Sequence, residues 1–300
     1  MRVLAIDGGG IRGIIPALVL AEIEQRTGRR IAELFDLVAG TSTGGILACA
    51  LTRADAAPAA QLVELYRTEG PKIFRRSLAH RVRSAEGLLE EKHDDAALED
   101  ALSRYLGADQ LSDATTKVLV TAYDLQAREP YFFKSWRPDL DAPLRVAARA
   151  TAAAPTYFEP IEVGARSLVD GGVFATNPAM CAYAEAVRLT EQPPAFVLSL
   201  GAGSQTRPIA HRDAASWGLV QWARPIIDAV FDGVSDTVEY QLRQLMPDGS
   251  VVRLQTELDK ASDALDDASA RNLALLEEQA RELIDRESAA IDAACTAITA

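Results

Sequence analysis

The chain has 300 residues, of which 48% are hydrophobic and 25% are charged, and its mean hydropathy is close to zero. These values predict a globular protein with a sizeable core and exclude the disordered and fibrous classes. The net charge of -12 opposes a general attraction to nucleic acid or to an anionic lipid surface. We therefore expect no nucleic-acid partner, and an anionic lipid surface would have to be met by a local positive patch.

No segment of the sequence is suited to crossing a membrane. The longest run without a charged residue, 37–52, is 16 residues long and contains Gly, Ser and Thr, whereas a spanning helix needs roughly 20 apolar residues. No signal-peptide pattern precedes the apolar run Val3–Ile6, and Cys49, Cys181 and Cys295 are dispersed without metal-ligand spacing. We expect a cytoplasmic protein.

Short apolar segments with strand character alternate with segments of helical periodicity over the first two thirds of the chain. The predicted strands are Val3–Ile6, Leu34–Ala39, Val118–Tyr123, Ser167–Val169 and Phe196–Leu200. The predicted helices are Ile14–Glu24, Gly45–Leu51, Ala59–Arg67, Ala96–Leu106, Leu144–Ala150 and Ala179–Leu189. This alternation predicts an α/β three-layer sandwich with a mainly parallel central sheet flanked by helices.

The last third of the chain is predominantly helical. Helical patterns cover Ala214–Leu245 and Asn272–Ile298, with a late strand at Val251–Leu254. No linker rich in Pro, Gly or Ser separates this part from the rest. We therefore predict one structural domain, with an α/β core over 1–205 and a helical C-terminal extension over 206–300 packed on it.

A glycine-rich loop, DGGGIRG at 7–13, follows the first predicted strand and precedes a predicted helix. Gly8, Gly10 and Gly13 match the G-x-G-x-x-G fingerprint of dinucleotide-binding proteins. A run of backbone amides at a helix N-terminus attracts any anion, either a pyrophosphate or a transient oxyanion. The loop thus predicts an anion site and leaves the anion open.

The second predicted strand ends in GTSTG at 40–44, directly before a helix. In such a nucleophile elbow the flanking Gly40 and Gly44 allow a sharp turn that lifts the Ser42 hydroxyl above the sheet. The amide after the serine, that of Thr43, helps to hold a tetrahedral oxyanion. Ser42 is therefore the predicted nucleophile, and an ordinary turn is the alternative.

A serine nucleophile needs a base. The three histidines are His80, His93 and His211. Their sequence surroundings predict exposed surface residues rather than a base. Asp170 instead ends a predicted strand and is followed by Gly171 and Gly172, so its carboxylate could accept the serine proton if burial raises its pKa. A plain Asp-Gly-Gly turn is the alternative.

Together these blocks resemble a known family. DGGGIRG at 7–13, GTSTG at 40–44, and DGG at 170–172 with Asn177–Pro178 are similar to the three signature blocks of the patatin-like phospholipases. Further segments resemble bacterial members of the family: 118–133, 148–158, 199–203 and 265–270. The third block departs slightly, because it often contains two asparagines where this chain has Ala175-Thr176-Asn177.

The resemblance implies a patatin-like fold and a lipid acyl hydrolase of the phospholipase A or lysophospholipase type. It implies a Ser-Asp dyad of Ser42 and Asp170 that works without a metal or cofactor. The implied oxyanion hole comprises Gly8, Gly9, Gly10 and Arg12 with Thr43, and the motif glycines in support are Gly40, Gly44, Gly171 and Gly172.

The resemblance also extends to partners. Bacterial members include antiphage effectors that a cyclic dinucleotide activates and that degrade the membrane, so a cyclic dinucleotide activator and a phospholipid or lysophospholipid substrate at the inner membrane are expectations from the family. The alternative function, in another class, is a nucleotide-binding protein that uses the glycine loop and leaves Ser42 idle.

Two further features concern lipid contact. A basic segment consists of Lys72, Arg75, Arg76, Arg81 and Arg83, with no acidic residue between 71 and 85. It is either a solvated surface or a patch that contacts lipid or phosphate. The stretch Trp217–Phe231 contains Trp222, Ile226, Ile227 and Val230 at helical spacing, which predicts core packing, with an acyl-chain channel or a lipid contact as the alternative.

Overall fold

A computed structural model describes residues 1–74, 93, 95–204 and 209–300. The strands are β1 (Arg2–Ile6), β2 (Leu37–Gly40), β3 (Lys117–Asp124), β4 (Glu129–Lys134), β5 (Ile161–Val163), β6 (Arg166–Asp170), β7 (Phe196–Leu200) and β8 (Val251–Leu254). The helices of the described residues are α1 (Ile14–Thr27), α2 (Ile31–Leu34), α3 (Thr43–Leu51), α4 (Ala59–Thr68), α5 (Gly70–Ile73), α6 (Asp95–Leu106), α7 (Leu144–Thr151), α8 (Gly172–Ala175), α9 (Ala179–Thr190), α10 (His211–Ala214), α11 (Leu219–Leu245), α12 (Ala270–Arg286) and α13 (Ser288–Thr299). Single turns of 3₁₀ helix cover Gly10–Gly13, Leu111–Asp113 and Pro138–Leu140.

The central sheet buries both of its faces. Along β1, Leu4 and Ile6 belong to one apolar cluster, whereas Val3 and Ala5 belong to a second cluster on the opposite face. Helix α1 packs in the first cluster and α9 in the second. Alternate side chains of a strand point to opposite faces, so this division confirms the predicted three-layer α/β architecture.

Most of the sheet is parallel. The strands β3, β2, β1, β7 and β8 lie side by side in parallel, and β4, β5 and β6 pair antiparallel with their neighbours. The predicted mainly parallel sheet is thus confirmed. The sequence analysis missed β4 and β5: β4 is interrupted by Pro130 and ends in charged residues, and β5 has only three residues.

Strands β2 and β6 meet end to end along one edge of β3. Strand β4 pairs with Leu119–Asp124 of β3, which overlaps the partners of both β2 and β6, so β4 occupies the opposite edge. The last residue of β2, Gly40, pairs with Val120, and the last residue of β6, Asp170, pairs with Ala122. The carboxyl ends of the two strands therefore face each other across about one residue of β3.

The C-terminal part of the chain contributes to this same sheet and core. Strand β8 pairs in parallel with β7, and Leu276, Ala280 and Leu283 of α12 join the apolar cluster that contains α1. No helix among the described residues combines the length and the apolar character needed to cross a membrane.

Helix α11 differs from its prediction. Trp222, Ile226 and Val230 are 36%, 46% and 39% exposed, so their predicted packing in the core is wrong. They recur at intervals of four residues, but the core packs against other parts of the helix, including Val238 and Leu242. Phe231 of the same segment is buried, and its ring lies against Gly172; the contact of this segment with an acyl chain or lipid stays a prediction.

Candidate active site

Ser42 occupies the sharp turn between β2 and α3. Its backbone has φ 54° and ψ -125°, a left-handed conformation that is strained for a residue with a side chain. The Ser42 amide donates a hydrogen bond to Thr151 Oγ1 at 2.8 Å, which holds the turn in place. The strand–turn–helix arrangement agrees with the predicted nucleophile elbow.

Asp170 is fully buried at the end of β6. Its amide donates to the Ala153 carbonyl at 3.0 Å, and its Oδ1 accepts a hydrogen bond from the Gly172 amide at 2.7 Å. Its Oδ2 is buried without a partner of hydrogen-bond geometry among the described residues. One carboxylate oxygen is thus fixed by the backbone, and the other is left to accept a proton.

Burial raises the pKa of Asp170 to about 7, although the nearby Ser42 side chain and the Gly172 amide each lower it. Desolvation outweighs both hydrogen-bonding effects because it penalises the charged carboxylate. The Ser42 hydroxyl is close enough to influence this pKa yet is not aligned for a standard hydrogen bond to Oδ2. Such loose contacts are common in active sites without substrate and tighten in the complex.

Ser42 and Asp170 open onto one apolar pocket. Besides these two residues, Gly9, Gly10 and Thr43 line the polar end of the pocket. Its larger side chains are Ile11, Ile46, Leu65, Tyr66, Ile73, Phe74, Leu98, Tyr157, Phe158, Phe231 and Leu265. A serine beside a buried carboxyl in such surroundings can attack a carbonyl carbon from which water is largely excluded.

The glycine-rich loop supplies backbone amides to this pocket, but not all of them are available. The Gly8 amide donates to the Thr176 carbonyl at 2.9 Å, and the Ile11 amide donates to the Leu265 carbonyl at 2.9 Å. Among the described residues, no backbone acceptor pairs with the amides of Gly9, Gly10 or Thr43. These three amides border the pocket beside Ser42, where an oxyanion would form.

Arg12 and Leu265 shape this loop. The Arg12 side chain is 5% exposed, and its Nε donates to the Gly9 carbonyl at 3.3 Å. Gly10 has φ 57°, and a Cβ there would collide with the Leu265 carbonyl. Arg12 therefore helps to hold the loop through its bond to the Gly9 carbonyl. Position 10 requires glycine because the Leu265 carbonyl leaves no room for a side chain.

The four supporting glycines lie where a Cβ would collide with a neighbouring part of the chain. Gly40 and Gly44 face each other across the elbow turn, and a Cβ on Gly44 would also collide with the Ile6 carbonyl. Gly171 lies against Thr121 of β3, and Gly172 lies against the Phe231 ring. Each position keeps the elbow or the aspartate turn close to the sheet.

The histidines are only partly as predicted. His211 is exposed, and His80 lies outside the described residues. The prediction of exposure is wrong for His93, which is 7% exposed and packs against Phe74 and Phe158. Its Nε2 lies 3.2 Å from Asp266 Oδ2, and its ring is not among the residues that line the pocket with Ser42.

Of the basic segment, the structure describes Lys72. Its Nζ lies 3.2 Å from the Glu69 carboxylate, which Arg104 also binds. The other four residues, Arg75, Arg76, Arg81 and Arg83, lie outside the described residues. The contact of this segment with lipid or phosphate stays a prediction.

Sequence reasoning missed the residues that hold Ser42 and Asp170 in place. Thr151 and Ala153 hold Ser42 and Asp170, and both belong to the segment 148–158, which drew notice only through the family resemblance. Tyr66 was missed as well: its hydroxyl lies 2.6 Å from Thr43 Oγ1 beneath the start of α3. Nothing in the local sequence around Tyr66 distinguishes it from an ordinary core residue.

The chain is similar to proteins of one known family. The family model described as "Patatin-like phospholipase" matches residues 4–183. The chain is 32% identical to "Probable inactive patatin-3-Kuras 1" of Solanum tuberosum over 95% of this chain and 87% of that protein. It is 31% identical to "Patatin-like protein 2" of Arabidopsis thaliana over 97% of this chain and 84% of that protein. The crystal structure of VipD from Legionella pneumophila aligns with 95% of this chain and 67% of that chain, at 11% identity and a TM-score of 0.40.

Proposed function

The chain belongs to the patatin-like phospholipase family, and from this premise we propose that it is a serine hydrolase that cleaves acyl esters of glycerophospholipids or lysophospholipids. The observation that carries the proposal is the buried Asp170 carboxyl, with a pKa of about 7, beside Ser42 on one apolar pocket. A relative of this chain is named as a probable inactive protein, so membership alone does not establish activity. The presence of both dyad residues supports activity here.

In the proposed mechanism, Ser42 Oγ attacks the ester carbonyl while Asp170 Oδ2 accepts the hydroxyl proton. The amides of Gly9, Gly10 and Thr43 donate hydrogen bonds to the oxyanion of the tetrahedral intermediate. Collapse of the intermediate expels the alcohol of the lysolipid or glycerol part, which takes the proton from Asp170. Water then hydrolyses the acyl-enzyme with Asp170 as the base again, and this releases the fatty acid and free Ser42.

The pocket supports a lipid substrate. Its side chains are almost all apolar, which suits the hydrocarbon chain of an acyl group and disfavours a charged ligand. Ile46 and Leu98 lie on this lining together with the aromatic ring of Phe158. The acyl chain would bind along these residues, while the carbonyl lies between Ser42 and the loop amides.

A fluorophosphonate probe tests the nucleophile, since it labels only an activated serine. Wild-type protein should be labelled and should release fatty acid from phosphatidylcholine or lysophosphatidylcholine vesicles, equally well in the presence of EDTA. Ser42→Ala should abolish both signals. Ser216→Ala, which removes an exposed serine hydroxyl away from the pocket, is the matched control and should retain both. Unchanged labelling of Ser42→Ala would refute the proposal.

The alternative is a nucleotide-binding protein that uses the glycine-rich loop. It is less well supported because the Gly8 and Ile11 amides already bind carbonyl groups of the chain, and the remaining amides face an apolar pocket. A pyrophosphate there would lose its hydration among side chains that are almost all apolar and offer it few hydrogen bonds in return. Binding of a nucleotide by calorimetry, without fluorophosphonate labelling, would favour the alternative.

Three expectations from the sequence extend the proposal. These are peripheral contact of a cytoplasmic protein with the inner membrane, lipid contact by the basic segment, and activation by a cyclic dinucleotide in antiphage defence. Replacement of Arg75, Arg76, Arg81 and Arg83 by Gln should weaken binding to anionic vesicles by roughly 1 kcal/mol per charge and leave hydrolysis of a soluble ester unchanged. A screen of cyclic dinucleotides for stimulation of vesicle hydrolysis tests the third expectation.

A further inference from the structure

A buried ion pair lies directly behind the glycine-rich loop. Arg253 of β8 and Asp7, the residue after β1, have side chains that are 5% and 3% exposed. Arg253 Nη1 lies 3.0 Å from Asp7 Oδ1, and Nη2 lies 2.6 Å from Oδ2. The planar guanidinium thus donates to both carboxylate oxygens, and this bidentate pair fixes the orientation of the carboxylate as well as its position.

Asp7 begins the loop that carries the oxyanion amides. Its own amide donates to the Leu200 carbonyl at 2.9 Å, and the next amide, that of Gly8, donates to the Thr176 carbonyl at 2.9 Å. Asp7 is therefore fixed by its backbone on one side and by Arg253 on the other. The amides of Gly9 and Gly10 follow within three residues, so a rotation at Asp7 would displace them.

Arg253 connects this loop to two other elements. Its Nη1 donates to Ser199 Oγ of β7 at 2.8 Å, and its Nη2 donates to Ser235 Oγ of α11 at 3.2 Å. Ser235 also donates to Asp7 Oδ2 at 3.2 Å, and it lies one helical turn after Phe231, which lines the acyl pocket. The guanidinium thus joins the loop to β7 and to the helix that covers the pocket.

We propose that Arg253 is a positioning residue that sets the Gly9 and Gly10 amides for oxyanion binding by holding the Asp7 carboxylate. This inference rests on the proposed hydrolase function and assigns part of the catalytic geometry to the C-terminal extension. A lysine in its place would keep the positive charge, but its single ammonium group cannot match the fixed fork that reaches both oxygens and both serines. Replacement of Arg253 by lysine therefore separates the positioning of the Asp7 carboxylate from the neutralisation of its charge.

The test is Arg253→Lys, with Arg188→Lys as the matched control at a side chain that is 64% exposed. For a soluble p-nitrophenyl acyl ester, we expect kcat of Arg253→Lys to fall about tenfold or more and KM to change less than about threefold. The affinity for a trifluoromethyl ketone, which forms a tetrahedral oxyanion on Ser42, should fall in parallel with kcat/KM. Binding of the corresponding unreactive acyl alcohol and the circular dichroism spectrum should stay unchanged.

Unchanged kcat in folded Arg253→Lys would overturn the inference, and so would a rise of KM alone. If the variant does not fold, Ser199→Ala decides the question, since it removes one acceptor of the guanidinium, together with a 3.4 Å bond to Asn177 Oδ1, and leaves the ion pair intact. We then expect a kcat two- to fivefold lower with a parallel loss of ketone affinity, on the order of one hydrogen bond, and an unchanged kcat overturns the inference. Failure of the wild-type protein to hydrolyse the ester or to react with fluorophosphonate would refute the proposed function itself, before any variant is compared.

Discussion

Thr41 Oγ1 lies 2.7 Å from Thr121 Oγ1, at the place where the strands that lead to Ser42 and Asp170 end against β3. Thr41 also donates its hydroxyl hydrogen to the Ala175 carbonyl at 2.6 Å, so Thr121 must be the donor to Thr41. Gly171 packs against the same Thr121 side chain. Thr121 of β3 is thus in contact with the residue before Ser42 and the residue after Asp170.

Thr121→Val should separate the effect of the hydrogen bond from Thr121 to Thr41 from the effect of side-chain packing. The substitution keeps the shape of the side chain and removes the donor to Thr41 Oγ1, and so we expect the free energy of unfolding to fall by about 1 kcal/mol. We expect kcat/KM for a soluble ester to fall about tenfold because the two dyad residues lose a common support. Urea unfolding and steady-state kinetics measure the two effects. Thr121→Ser retains the hydroxyl and should restore most of the activity; an equally inactive Thr121→Ser would show that the methyl group, not the hydrogen bond, matters.

The raised pKa of Asp170 predicts the pH dependence of hydrolysis. The base must be ionised to accept the Ser42 proton, and its pKa in the folded protein is about 7. The value of kcat/KM should therefore decrease about tenfold per pH unit below 7 and level off above it. A pH profile with a soluble ester checks this, and a midpoint near the ordinary aspartate pKa would contradict it.

The same shift predicts how Asp170 affects stability. The carboxyl has a folded-state pKa of about 7 against 3.8 as the ordinary value, so the unfolded chain ionises first as the pH rises. Stability is thus lost between about pH 4 and pH 7 and stays lower above that range. Asp170→Asn should remove this loss and gain stability relative to wild type between pH 4 and pH 8, by at most on the order of 4 kcal/mol. Urea unfolding at pH 4 and at pH 8 measures the difference in stability between Asp170→Asn and wild type. An equal difference at the two pH values would refute the burial of a neutral carboxyl.

The glycine loop offers a paired test. A Cβ on Gly9 would lie 2.5 Å from the Ala202 Cβ, so Gly9→Ala should displace the loop amides and lower kcat on the order of 10²-fold, with a smaller effect on KM. Ala202→Gly in the same chain removes the colliding atom and should recover part of the lost kcat. If the double variant is no better than Gly9→Ala, the collision is not the cause of the loss.

His93 allows the dyad to be distinguished from a serine–histidine mechanism. Its pairing with Asp266 is reminiscent of the base of a triad, but the ring packs behind the pocket-lining side chains of Phe74 and Phe158 and does not itself line the pocket. His93→Gln should therefore lower the melting temperature and leave kcat/KM within about tenfold, whereas loss of a true base costs on the order of 10²- to 10⁴-fold. A folded His93→Gln variant without activity would mean that the base has been assigned wrongly.

The sequence predicted the features that short segments encode. A nucleophile elbow and a glycine loop are local, because the glycines that permit each turn lie within a few residues of Ser42 and Gly10. The exposure expected for His93 followed from its charged neighbours in the sequence, and it failed because Phe74 and Phe158 cover the ring from distant parts of the chain.

Other features had no local signal at all. The direction of β6 is set by its pairing with β3, and a five-residue strand whose apolar residues are Leu168 and Val169 carries no local signal for its direction. Arg253 is a single arginine on a four-residue strand, and its meeting with Asp7 depends on the parallel register of β1, β7 and β8. Contacts between residues 246 positions apart are a property of the assembled sheet.

The end-to-end meeting of β2 and β6 means that the distance between the side chains of Ser42 and Asp170 is set by β3, a strand that contains neither of them. One extra residue between Val120 and Ala122 would shift one partner strand along the ladder and turn every later side chain of β3 to the opposite face. Extra residues in the exposed turn 125–128 would leave that spacing untouched. Natural or engineered length variation is therefore tolerated beyond the end of β3 and excluded from its middle, even though both places are far from Ser42 and Asp170 along the chain.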